Sequence, residues 1–260
     1  MSIKINEKTK GKLLGFVIPV LIISSWLYAT HFTDVSSSIL PRITGVGKAY
    51  RETLNNGLLL KDLGISLVRV LRGYGVSILA GVILGTLMGM NKNAWHIFHG
   101  FTTSIRQIPN IAWIPLIILW FGIKETSKTV IILLAAFFPI MTNTLNGIAS
   151  TPQSYGELAK LYKLNRWKTF TKIYLPHAIP NILVGLKLGL GSSWTAVVAA
   201  ELIASSAGVG YRLSDARSLM RSDIVIAYMI VIGIVGVIMD KILSVIFSKI
   251  TPWEKKKNNV

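Results

Sequence analysis

The sequence predicts an all-α, polytopic membrane protein with about six transmembrane helices, and three observations carry that expectation. Apolar runs of about twenty residues recur along the chain, the length a helix needs to cross a bilayer's hydrocarbon core. Of 260 residues, 52% are hydrophobic and 15% charged, and mean hydropathy is +0.56. That leaves no stretch from which a water-soluble domain of useful size could be built. The 28 Lys and Arg outnumber the 11 Asp and Glu and flank the apolar runs, as they do in loops that stay in the cytoplasm. A single transmembrane domain over 1–260 is expected.

The first span is expected over 13–32. Lys4, Lys8, Lys10 and Lys12 precede it, as in a signal peptide, but no small-residue cleavage site follows, so it reads as an uncleaved anchor. The second, 63–90, is polar at its start and apolar from Val76. Ser77, Gly81, Gly85 and Gly89 recur along one of its faces, a stripe that lets helix backbones approach closely. The third span, 105–121, contains Pro109 and Pro115, and the fourth, 129–148, contains Pro139. Each proline removes a backbone donor and is expected to bend its helix. The fifth, 180–204, repeats the small-residue stripe at Gly185, Gly189 and Ser193, and the sixth covers 224–250.

Orientation follows from Lys and Arg in the connecting segments. With the N-terminus inside, the inner segments 1–12, 91–106, 150–178 and 249–260 hold 15 of them. The outer segments 33–62, 122–128 and 204–223 hold 9. The positive-inside rule therefore places both termini and the 150–178 loop in the cytoplasm.

Several function classes drop out. The net charge of +17 does not read as nucleic-acid binding, because the basic residues border apolar spans rather than alternating with aromatics on a polar face. The chain has no cysteine, which removes disulfides, thiolate metal sites and Cys nucleophiles. His96 and His99 share a helical face without a third ligand nearby in sequence, so no metal site is expected. No Gly-rich Lys-Ser/Thr phosphate loop and no His-Glu-x-x-His motif occurs, so the chain is expected neither to bind ATP nor to be an enzyme.

One polar stretch stands between two spans: ELAKLYKLNRWKTFTKIYLP, residues 157–176. Glu157 and Ala159 open it, and Ile173, Leu175 and Pro176 close it. It resembles the EAA loop of ABC-importer permeases, in which Glu and Ala are followed at fixed distance by Ile-x-Leu-Pro. Where that family usually carries Gly, six residues after the Glu, this chain has Lys163. The turn is therefore expected one or two residues later, near Asn165, which tolerates the left-handed conformation. Other segments narrow the resemblance to nitrate, sulfonate and taurine permeases, closest to those for aliphatic sulfonates. They are Ile39-Leu40-Pro41; Arg106, Pro109, Ala112 and Pro115-Leu116 before Leu119-Trp120-Phe121-Gly122; Glu201 before Gly208-Val209-Gly210-Tyr211; Asp215-Ala216-Arg217; and Gly233, Gly236 and Asp240.

The resemblance implies the type I ABC importer transmembrane fold in a bacterial cytoplasmic (inner) membrane. It implies a homodimer of permeases, two cytoplasmic ATPase subunits that hold ATP and Mg, and an extracytoplasmic substrate-binding protein. The cargo it implies is a small anion: aliphatic sulfonates including taurine first, nitrate or bicarbonate next.

Within the loop, a coupling helix is expected over about 154–165, with Glu157 and Ala159 at the ATPase contact. Glu157 also suits a helix N-terminus, where the dipole favours an acid. Lys163, Arg166 and Trp167 offer charge and an aromatic anchor, and Leu175 and Pro176 close the motif. For the translocation path, Ser192, Ser193 and Thr195 are the candidates, since hydroxyls can bond an anion's oxygens or bond back to their own helix. Lys187, inside the fifth span, either snorkels to the interface or lines that path. Arg69 and Arg72 either anchor at the outer interface or present positive potential to an incoming anion. Glu201 and Asp240 are expected to be structural groups near span ends.

Overall fold

The computed structural model describes residues 7–252, with side chains from residue 14 onward. In chain order the helices are α1 (Glu7–Phe32), α2 (Ile43–Asn55), α3 (Leu58–Met90), α4 (Lys92–Arg106) and α5 (Ile114–Phe121). There follow α6 (Glu125–Ala149), α7 (Gln153–Leu161), α8 (Arg166–Thr169), α9 (Leu175–Ala204), α10 (Val209–Ser218) and α11 (Ser222–Ile250). No strand occurs among the described residues. Five helical runs are long and apolar enough to cross a membrane, six if the bent pair α4–α5 counts as one span. Lys4 and the 253–260 tail, which entered the charge count, lie outside the described residues.

The third span departs from expectation. It is not one helix over 105–121 but α4 and α5, set at 92° with a 3-10 turn, Asn110–Trp113, between them. Proline explains the break. Pro109 takes an extended backbone, φ −56 and ψ 135, and a residue preceding proline is itself pushed out of the helical region. Pro115 then occupies the first turn of α5, where its missing N–H costs nothing. Pro139, by contrast, is absorbed inside a continuous α6. Helix α3 begins at 58, five residues before expected, directly after Gly57 at φ 73. Helix α9 begins at 175 rather than 180, with Pro176 in its first turn.

Helix α6 is the centre of the bundle, flanked by α3 and α9. The small-residue stripes explain the close approach on both sides. A Cβ added at Gly81 of α3 would lie 2.9 Å from Ile140, and one added at Gly189 of α9 would also lie 2.9 Å from Ile140. Ile140 is wholly buried between them. At Gly85 the obstruction is backbone, the Met141 carbonyl at 2.6 Å. The Ser77 hydroxyl lies within bonding reach of two carbonyls, Gly73 of its own helix at 2.7 Å and Leu133 of α6 at 3.1 Å. The stripes thus serve bundle packing.

Helix α1 stands apart. Residues 14–25 are exposed throughout, and its tie to the rest is the Trp26 indole donating to the Pro41 carbonyl at 2.9 Å. A helix apolar on every side and so little packed against the other described residues is suited to lipid or to another chain.

Candidate coupling surface and translocation path

The two ends of the bundle differ in chemistry. At one end, α7 and α8 lie beneath the termini of α3, α6 and α9. They enclose a cavity of ≈ 400 Å³ whose lining includes Met90, Thr151, Gly156, Ala159, Arg166 and Tyr174. Pro152, in extended conformation, starts α7. The helix ends at Leu161, four residues short of the expected boundary, because Lys163 itself takes the left-handed conformation at φ 48. The Leu164 amide then donates back to the Ala159 carbonyl at 2.9 Å. The chain therefore turns where the family's glycine stands, and the expectation of a later turn at Asn165 is corrected. Asn165 instead caps α8, its side chain accepting from the Lys168 amide at 2.8 Å.

The loop residues divide by face. Ala159 is 4% exposed and packs into the chain, so its small size serves the fold of the loop. The expected contact of Ala159 with an ATPase is therefore not offered by an exposed side chain in this chain alone. Glu157 is exposed and lies beyond the first turn of α7, reached among the described residues by the Gln153 amide at 3.5 Å; the dipole reading does not apply to it. Lys163, Arg166 and Trp167 are exposed, Trp167 at 71%. Leu175 packs against Ile148, Ala178 and Ile182, fixing the loop to the bundle, while Pro176 is exposed. Sequence reasoning missed the outer face of α7: Tyr155, Leu158, Leu161 and Tyr162 are all exposed, Leu161 at 79%. Their spacing of three and four residues was the available signal.

The opposite end is closed by a buried polar cluster. Arg69 donates to Glu201 Oε1 at 2.7 Å, to the Ala207 carbonyl at 2.7 Å, and through Nη2 and Nε to Glu125 at 2.6 and 2.8 Å. Ser66 accepts from the Val209 amide at 3.0 Å and donates to Glu201, whose oxygens lie 2.8 and 2.9 Å away. The Gly210 amide donates to Glu201 at 3.0 Å. Asp62 accepts from the Gly208 amide at 3.2 Å, Arg212 at 3.1 Å and Tyr228 at 3.0 Å. Burial pulls the Arg212 pKa down, but its bond to Asp62 and the charges of Asp62 and Asp215 beside it together outweigh this and hold it above the ordinary arginine value. At the head of α11, the bonds of Arg221 to Asp223 and Glu52 raise its pKa likewise, against a smaller effect of burial.

This cluster corrects the reading of Arg69 as an outer anchor or an attractor of anions. Its charge is spent on two carboxylates of its own chain, Glu201 buried and Glu125 partly exposed, whereas Arg72 stays exposed. Glu201 is structural, as expected. Gly208 (φ 109) and Gly210 wrap it so tightly that a Cβ at Gly208 would fall 2.4 Å from its carboxyl group. Asp62 and Ser66 were missed, although with Arg69 they fall at i, i+4 and i+7, one helical face.

The candidate path residues on α9 are placed unequally. Lys187 pairs with Asp240 of α11 at 3.2 Å, both partly exposed. Asp240 lies well inside α11 rather than near a span end. Thr195 is exposed and bonds back to Ser192 and Gly191, and Ser192 is half-buried. Ser193 is fully buried, its hydroxyl without a hydrogen-bond partner among the described residues. It continues the Gly185–Gly189 face that packs on α6, so in this conformation it does not face an open path.

The family described as "Binding-protein-dependent transport system inner membrane component" matches residues 73–252. The aliphatic sulfonates transport permease protein SsuC of Bacillus subtilis (strain 168) is 34% identical over 96% of this chain and 91% of its own length. The taurine transport system permease protein TauC of Escherichia coli (strain K12) is 30% identical over 97% and 98%. The nitrate import permease protein NrtB of Leptolyngbya laminosa is 32% identical over 80% and 74%. A solved structure, of an amino acid ABC transporter with histidines, superposes with a TM-score of 0.60 over 77% of this chain and 95% of that one, at 17% identity. That likeness concerns the fold alone.

Proposed function

Because this chain belongs to the family of binding-protein-dependent transport system inner membrane components, we propose that two copies of it form the path of an ATP-driven importer for aliphatic sulfonates such as taurine. It is an ABC importer permease of the sulfonate, taurine and nitrate type, and not itself an enzyme. In the proposed assembly two ATPase subunits hold ATP and Mg on the cytoplasmic side, and a binding protein delivers the anion on the other. The observation that carries the cargo class is the similarity to the sulfonate and taurine permeases over nearly the whole chain.

The geometry supports a division of labour. The exposed apolar face of α7 with Trp167 is the ATPase contact, a row of side chains that gains most by leaving water. Glu157, Lys163 and Arg166 form its polar rim, where charges set register more than affinity. The polar cluster around Glu201 makes the far end of the bundle move as one body. Between them, Lys187, Ser192 and Thr195 lie on or beside the exposed face of α9, which is proposed to border the path between the two copies; Ser193 joins that path only if α9 shifts on α6. One copy alone leaves that face open, and a closed two-fold pair is the common solution. ATP drives net uptake only if the two end states differ in affinity for the anion.

The test is uptake by the complete importer in proteoliposomes with internal ATP. Labelled taurine or ethanesulfonate should accumulate, with nitrate competing weakly. Accumulation of nitrate alone would move the chain to the nitrate type, and accumulation of neither would refute the proposed cargo.

A further inference from the structure

A groove of ≈ 250 Å³ lies between α4 and α6, in the half of the bundle nearer α7. Its polar lining is Arg106, His99, Thr103, Thr142 and Asn146. Arg106 donates to the Thr142 hydroxyl at 3.3 Å and, among the described residues, has no carboxylate within ion-pair reach. Arg69, Arg212 and Arg221 each have at least two. The His99 ring is braced by stacking on Trp95, centroids 4.3 Å apart, which leaves its nitrogens clear of the indole. Thr103 and Asn146 make no side-chain hydrogen bond within the described chain, and Asn146 is exposed.

Arg106 stands at the far end of α4, about 21 Å along the helix axis from Lys92. A guanidinium there is costly against lipid and is held instead over water or a counter-charge. The proline-directed break after α4 is what turns this end toward α6. Convergent donors with no acid among them, around a small open space, suit a singly charged oxyanion.

We propose that the groove between α4 and α6 is an oxyanion subsite on the path. Arg106 supplies the charge, and Thr103, Thr142, Asn146 and His99 supply hydrogen bonds. It rests on the reading of the chain as an anion importer and adds a site on α4 and α6, apart from the α9 hydroxyls. A sulfonate or nitrate passing through and the headgroup of an anionic lipid share this chemistry, so the experiment separates them.

The chain lacks cysteine, which makes Asn146→Cys a single reporter on the permease, read on the permease band after labelling of the assembled complex with its ATPases. Nanodiscs of phosphatidylcholine remove competing headgroups. With each rate taken relative to that of the same reagent with free 2-mercaptoethanol, labelling by sulfonatoethyl methanethiosulfonate should be about ten-fold faster than by its trimethylammonium analogue, the bias that one nearby positive charge gives in water. Adding Arg106→Gln should bring the two rates together, and Arg106→Lys should retain the bias. Millimolar ethanesulfonate or nitrate should slow labelling several-fold. Equal rates for both reagents, no effect of Arg106→Gln, or no protection by free anions would each overturn the subsite. So would protection seen only when phosphatidylglycerol is present, which would assign the groove to a lipid headgroup. Gel-filtration retention checks that each variant is folded. The labelling needs neither ATP nor uptake, so its failure leaves the importer reading untouched.

Discussion

Arg69 and Glu201 meet at 2.7 Å inside the bundle, the guanidinium side chain 7% exposed and the carboxylate side chain fully covered. They join α3 to α9, and through Glu125, Asp62 and the Gly208–Gly210 turn they bring in α6, α10 and α11. Removing one partner of such a pair leaves an unpaired buried charge, at a cost of about 3–5 kcal/mol. Arg69→Met should therefore lower the thermal stability of the purified complex sharply. Glu125→Gln, at a carboxylate 53% exposed, should cost far less. Equal melting temperatures for the two variants would mean that the cluster does not hold the end together.

Ile140 is gripped from both sides, by Gly81 and Gly189. Gly81→Ala forces a methyl into a gap already closed, and overpacking of this kind costs about 1–3 kcal/mol. The double variant Gly81→Ala/Ile140→Val trims Cδ1 rather than the Cγ2 and Cβ that obstruct at Gly81, whereas Ile140→Ala removes the Cγ2. Measured against each single Ile140 variant as background, the further loss caused by Gly81→Ala should therefore shrink with Ile140→Ala and not with Ile140→Val, read as the fraction of protein that stays monodisperse after heating. The reverse order of rescue would contradict this contact.

Lys163 holds the left-handed backbone that ends α7. For a residue with a Cβ this costs about 1–2 kcal/mol, and more for a β-branched one. Lys163→Gly should leave hydrogen-exchange protection of 153–165 unchanged or higher, and Lys163→Val should reduce it. A valine variant protected like the parent would show that the turn lies elsewhere.

The outer face of α7 is expected to carry the partner contact. Leu161→Ser and Trp167→Ser should each weaken ATPase association by about 2 kcal/mol, some thirty-fold, as at buried anchors of other interfaces. Lys160→Ala, at an exposed charge beside Leu161 on the same helix, should stay within about 1 kcal/mol. Titration of the solubilised permease with the ATPase subunit reads this directly. A larger loss for Lys160→Ala than for Leu161→Ser would point to an electrostatic dock instead.

Long apolar periodicity made the spans legible, and charge placement made a frame for them. The small-residue stripes spoke for helix contact, and Gly81 and Gly189 meet α6 as such stripes should. The bend of the third span was readable only in part: Pro109 announced a break, but no local signal gives the 92° between α4 and α5, which the neighbours of both helices set. Arg69 misled because a cation near a span end looks alike whether it faces water or two acids 56 and 132 residues away. Pairing across such distances leaves no mark in local pattern. Ala159 is ambiguous for a related reason: smallness signals a close contact without saying on which side. The rows at 155, 158, 161 and 162, and at 62, 66 and 69, were written in the sequence by helical spacing alone.

The account stands on the outward face of α7, and thiol chemistry in this cysteine-free chain tests it most directly. Leu161→Cys and Ala159→Cys should be placed singly in the assembled importer, labelled with a maleimide–benzophenone cross-linker whose photoreactive end inserts into any neighbouring C–H bond, irradiated, and read by mass spectrometry. Leu161→Cys should join the ATPase subunit, and its modification before assembly should abolish ATP-driven uptake. Ala159→Cys should stay unreactive, because its side chain is covered by the permease itself. Cross-linking through Ala159→Cys with Leu161→Cys silent would contradict the account.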